Sequence, residues 1–189
     1  MNWRVEFLIL LGLAQIGVPG EMIYRQETLL HQGREFRLLT APVDPYDMFR
    51  GRYVSLRFQC ETIPLHAGDP LLRLKDADTV YAALKTNGDG FAVVDKISET
   101  PLAWDNTIKA KVNSNIRNIP GIDKPVSELV IHLPCDQFYL GEDIASKAEQ
   151  AYQKANRKGH SGRCWADIRI RDGDVALEDV LIDGVSIRK

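Results

Sequence analysis

The sequence is poor in the residues that usually announce chemistry. Three cysteines in 189 residues are too few for a disulfide scaffold. Cys60, Cys135 and Cys164 also stand too far apart for the two-to-four-residue interval of a zinc knuckle. They read as buried thiols, with a Cys135–Cys164 disulfide as the alternative in an oxidising compartment. The four histidines, His31, His66, His132 and His160, fall in different segments without a second ligand at helical or hairpin spacing. No metal site is signalled, and no cofactor. A formal net charge of -2 leaves no general basic field, so binding to nucleic acid or to an anionic membrane surface is not implied. A nucleophilic dyad is missing too: His132 and Cys135 are three apart on a strand, which sends them to opposite faces, and Pro134 breaks the geometry further. Asp172-Gly173-Asp174 and Asn87-Gly88-Asp89-Gly90 lack the alternating oxygens of a calcium loop and read as hairpin turns. No constellation in the chain amounts to a catalytic site.

What is present begins with an apolar run. Residues 7–20, F-L-I-L-L-G-L-A-Q-I-G-V-P-G, follow a single Arg4 and have no polar face. Continued through residues 21–24, the run approaches the ~20 residues that cross a bilayer. Val18-Pro19-Gly20 is a poor cleavage site because proline lies inside it, so an uncleaved signal-anchor is preferred to a cleaved signal peptide. Residues 21–33 continue the helix as a stalk that stops at Gly33. The remaining composition, within a chain 44% hydrophobic and 26% charged, suits one compact domain. The organisation expected is therefore an anchor and stalk over 1–33 and a β-rich domain over 34–189. Arg25, Arg34 and Arg37 follow the apolar run while only Arg4 precedes it, and that count argues weakly against an outward-facing domain.

Downstream, short segments of period two dominate. Strands are predicted over 35–40, 52–60, 71–74, 79–85, 91–97, 107–113, 129–133, 165–171 and 175–178, with turns at Asn87–Gly90, Asp172-Gly173 and Asp183-Gly184. One amphipathic helix is predicted over 142–158, with Ile144, Ala148, Ala151, Tyr152 and Ala155 on its apolar stripe. The fold class is mainly β (α+β): a single barrel- or sandwich-like domain with one packed amphipathic helix and an N-terminal membrane-anchor helix.

Residues 41–58, A-P-V-D-P-Y-D-M-F-R-G-R-Y-V-S-L-R-F, hold the candidate site. Pro42, Pro45, Asp44 and Asp47 are turn formers, and Gly51 permits a tight bend into the strand. Val54, Leu56, Phe58 and Cys60 then alternate toward the core, leaving Tyr53 on the opposite face. Asp44, Asp47, Arg50, Gly51 and Tyr53 are the binding candidates, although Arg50 and Arg52 pair more simply with the two aspartates as a local ion network.

The same run resembles the signature of the bacterial GDYXXLXY protein family. Gly51, Tyr53 and Leu56 match the pattern; Arg52 stands at its aspartate and Phe58 at its last tyrosine. G-R-E-F-R-L-L-T before the motif, F-Y-L-G-E-D leading into a helix and a final A-D-I-R-I-R-D-G-D-V-A-L-E-D-V-L-I-D-G agree in order. The resemblance implies a membrane-anchored, envelope-facing β-rich domain and supplies no reaction. Arg52 removes any role that needs an acid at that position. A weaker likeness to the G-D-x-V strand of signal peptidases fails because Asp44-Pro45 occupies the place of the nucleophilic serine. Two functions follow as expectations. One is an extracytoplasmic accessory module that binds the membrane through its N-terminal helix and docks on a polytopic membrane protein. The other is a ligand-binding or hydrolytic domain whose cleft gathers Asp44, Asp47, Arg50 and Tyr53.

Overall fold

A computed structural model of the chain describes residues 3–41, 53–66, 69–103, 105–113, 127–155 and 163–188. Helix α1, Trp3–Gln32, takes in both the apolar run and the stalk, with Pro19 inside it. It stops where the Gly33 N–H donates back to the Leu29 carbonyl at 2.8 Å. A β-carbon at Gly33 would stand 2.4 Å from that same oxygen, so the close approach admits glycine alone.

The body is β. Strands β1 (Arg34–Leu39), β2 (Tyr53–Ser55), β3 (Thr62–Leu65), β4 (Thr79–Thr86), β5 (Ala92–Ser98), β6 (Thr107–Asn113), β7 (Ser127–His132) and β8 (Gln137–Tyr139) precede helix α2 (Glu142–Ala155). Strands β9 (Cys164–Arg171), β10 (Asp174–Ile182) and β11 (Val185–Ser186) follow it. They form a four-stranded sheet in the order β1-β9-β10-β11, a five-stranded sheet β3-β7-β6-β4-β5 and a two-stranded ribbon β2-β8. All the pairings are antiparallel. The two Asp-Gly turns carry positive φ at both residues, 52° and 86° at Asp172-Gly173 and 49° and 86° at Asp183-Gly184, the twist that a two-residue hairpin demands.

Inward positions of the sheets meet in one continuous core. Phe36, Leu38, Ile168 and Ile170 come from one sheet, and Leu84, Ile108, Leu129 and Ile131 from the other. The result is the nearly closed, barrel-like β body that the alternation predicts. Helix α2 packs against it through Ala148, Tyr152 and Ala155, with Ile144 half-buried. Ala151, placed on the stripe by periodicity, is exposed instead.

Two predicted strands depart from expectation, and β3, β8 and β11 form where no strand was predicted. The strand over 52–60 ends at Ser55; Phe58 returns as an isolated bridge to Thr40, and Gln59–Glu61 winds into a 3₁₀ turn. Val54, Leu56 and Phe58 are nonetheless all buried, so the period-two argument named the correct face where the hydrogen-bond ladder did not continue. The segment over 71–74 is a 3₁₀ turn, Pro70–Arg73, because the Asp69 carboxylate accepts the Leu71 N–H at 2.9 Å and Pro70 opens the turn. Strand β3 carries Pro64 and sits at a sheet edge, where the missing donor costs no ladder bond. All three cysteines are free, with Cys135 and Cys164 buried, which removes the alternative of a disulfide between them.

Candidate functional site

Of the motif residues singled out as candidates, Asp44, Asp47, Arg50 and Gly51 lie outside the described residues, as does Arg52. Tyr53 opens β2. The ribbon pairs Tyr53 with Tyr139, Val54 with Phe138 and Ser55 with Gln137. Alternation sends Val54 and Phe138 into the core and leaves the two tyrosines together on the other face. Their ring centroids are 5.5 Å apart at an interplanar angle of 54°. The Tyr139 hydroxyl donates to Gln137 Oε1 at 2.7 Å, and its ring is 65% exposed. Tyr53, half-buried beneath it, belongs to a small surface aromatic cluster rather than standing alone. Phe138, on the core side, is covered by the Arg188 guanidinium 4.8 Å from its centroid.

Immediately after the motif lies a buried acid that pattern reasoning passed over. Glu61 is 4% exposed, at the end of the 3₁₀ turn. Its Oε2 accepts the Phe58 N–H at 3.0 Å and its Oε1 accepts the Leu133 N–H, also at 3.0 Å. Those two bonds staple the end of the motif to the end of β7. His132 Nδ1 lies 3.8 Å from Oε1. Burial pushes the Glu61 carboxyl above the ordinary carboxylate range, against the two amides, His132 and Arg57, which favour the ion. The neighbouring thiols are held protonated. Burial, with Glu61 second, raises Cys60 to about 12, and the same two causes push Cys135 higher still. This is the environment of a structural joint, not of an activated nucleophile. The spacing of Phe58 and Glu61 is the one sequence signal for it, a three-residue capping pattern; the Leu133 partner is 72 residues away and leaves no local trace.

Tyr152 of α2 has a similar inward role. Burial holds its phenol well above the usual range, and its hydroxyl is shut inside without a well-formed hydrogen bond, near Thr40 and the Arg57 backbone. Among the described residues no group of three or more His, Cys, Asp or Glu side chains is placed to hold a metal ion.

A groove of about 690 Å³ lies where the last third of α1 meets the β body. Met22, Arg25 and Leu29 form one wall, Lys109 and Lys111 of β6 with His132 of β7 another, and the β9–β10 turn closes the end. Arg25 reaches Asp174 of that turn at 3.5 Å. No sequence signal pointed here, since the three walls come from segments that only the fold brings together.

The GDYXXLXY protein family model matches residues 15–180 of the chain, which therefore belongs to that family. No curated protein and no solved structure matches it.

Proposed function

We propose that this family member is a single-pass, membrane-anchored accessory domain. Its anchor and stalk occupy 1–33, its β body occupies 34–189 outside the cytoplasm, and the body docks on a membrane protein. The observation that carries the reading is α1. Its 30 residues include an 18-residue window of mean hydropathy 1.6, none of which the other described residues bury. At 1.5 Å per residue such a helix is about 45 Å long, more than the ~30 Å hydrocarbon core. An apolar surface of that extent needs a solvent other than water. The docking face assigned is residues 44–53 together with the Tyr53–Tyr139 pair, because the exposed Tyr139 and the half-buried Tyr53 beneath it supply contact area at little cost in side-chain entropy. Placement outside the cytoplasm rests on the family likeness and stands against the count of basic residues.

Fractionation of cells bearing a C-terminal tag, followed by protease treatment of intact cells, tests both halves of this reading. The tag is expected in the membrane fraction and accessible from outside; a soluble or protected tag overturns the anchor or the orientation respectively. A photo-crosslinking residue at position 53 should capture a membrane protein, and capture of lipid alone would remove the docking role.

A further inference from the structure

We infer that the groove at the base of α1 is a binding site for the headgroup of an anionic phospholipid, taken from the leaflet that faces the β body. The inference rests on the anchor reading of α1. If residues 5–24, apolar but for Glu6, Gln15 and Glu21, lie in the hydrocarbon core with the two carboxylates toward its edges, they account for about 30 Å of helix, which is its full thickness. Arg25 and Gln26, which line the groove, then fall within the ~5–8 Å headgroup layer that follows. The groove is thus carried to headgroup depth by the helix that forms its wall, whichever way the chain is oriented.

Its chemistry fits that position. Lys109 and Lys111 are two apart on β6, so their side chains share a face; both are exposed and line the groove. Neither makes an ion pair among the described residues. Lys111 pairs in register with His132, whose ring lines the groove on the same face. On the acidic side, Asp174 is engaged by Arg25, and Asp136 is the other carboxylate facing the groove. Two uncommitted ammonium groups thus flank a cavity whose helical wall presents Met22 and Leu29. A phosphodiester between the lysines, with its acyl chains running along the exposed apolar surface of α1, satisfies both halves of the groove. A soluble anion would leave the apolar wall uncovered.

The test uses the full chain in discs of phosphatidylcholine containing a minority of phosphatidylglycerol, with co-purifying lipid quantified by mass spectrometry after mild detergent release. Phosphatidylglycerol is expected to be enriched over its bulk fraction. Each of Lys109→Gln and Lys111→Gln should lower that enrichment about fivefold, the contribution of one cation near a charged surface. The control Lys85→Gln/Lys154→Gln should leave it unchanged. Enrichment equal in the wild type and the Lys109→Gln/Lys111→Gln variant, with matching urea midpoints, overturns the inference. Alkaline carbonate extraction of the same preparations separates the two failures. A chain that resists extraction but shows no lipid preference defeats this inference alone, whereas a chain that is extracted defeats the anchor reading and this inference with it.

Discussion

The two helices of this protein differ in what covers them. Helix α1 has no polar face over residues 7–20 and carries its charged residues on either side of that run; Leu29, near its C-terminal end, is its one buried residue, and Ile16 in mid-helix is 77% exposed. Helix α2 is less than half as long, 14 residues against 30, and hides a single stripe of Ala148, Tyr152 and Ala155 in the core. In α2 the β body supplies the apolar environment, so three inward positions suffice. In α1 none of the described residues supplies it over the apolar run, and the helix joins the body near its C-terminal end, at Leu29, through Gly33, by the Arg25–Asp174 ion pair and by the Arg171 to Gln32 side-chain hydrogen bond at 2.5 Å. The difference makes one helix part of the core and leaves the other with the exposed apolar surface on which the proposed anchor role rests.

That contrast is open to measurement. The largest effect is expected at Tyr152, the largest fully buried side chain. Tyr152→Ala should cost about 3–5 kcal/mol in urea unfolding of the detergent-solubilised chain. Tyr152→Phe should be close to neutral, since the hydroxyl has no well-formed partner to lose. A loss below about 1 kcal/mol for the alanine variant would show that α2 does not belong to the core. At the joint between α1 and the body, Gly33→Ala should cost about 1–3 kcal/mol, because the new methyl must displace the Leu29 carbonyl or the strand beside it. The same assay reads it, and membrane retention should not change.

A smaller effect is carried by pH and belongs wholly to the body. Glu61 has its carboxyl raised by burial, so the folded state holds that proton more tightly than the unfolded state does. Its contribution is fully present below the ordinary carboxylate value of 4.5 and is lost as pH rises through the folded value. Asp167, raised by burial despite Arg37, acts in the same direction. Urea midpoints measured across the acid range should fall with rising pH over that window. Glu61→Gln should make the slope shallower while leaving the share of Asp167. An unchanged slope would mean that Glu61 does not titrate in the folded state as its burial requires. The smallest effect is expected at Ile16→Ser, within about 0.5 kcal/mol in unfolding of the body, accompanied by weaker retention in membranes. An unfolding cost as large as that of Tyr152→Ala would erase the distinction between the helices.

Much of the fold was legible because it is written in local periods. The alternation of Val54, Leu56 and Phe58 named the core face, and Asn87–Gly90, Asp172-Gly173 and Asp183-Gly184 marked the hairpins. Periodicity failed where a side chain overrode it. Asp69 capped the turn at Pro70–Arg73, and Glu61 closed the 3₁₀ turn that ended the motif strand early. Of the candidate site, Tyr53 was placed on the correct face, but its partner Tyr139 was not foreseen, because strand pairing between distant segments has no local signature. The groove under α1 was invisible for the same reason, being assembled from α1, β6, β7 and the β9–β10 turn.

By itself the sequence determined which residues turn inward, where the hairpins fold back and that the first helix is long and apolar enough to span a membrane, since backbone period, turn chemistry and side-chain hydrophobicity are properties of neighbouring residues. Only the tertiary structure decided that Glu61 ties residue 58 to residue 133, that Tyr53 rests on Tyr139, and that Lys109 and Lys111 face Arg25 across a groove. Those contacts depend on the order of strands within the sheets. That order follows from closing one shared core, which no stretch of the chain specifies alone.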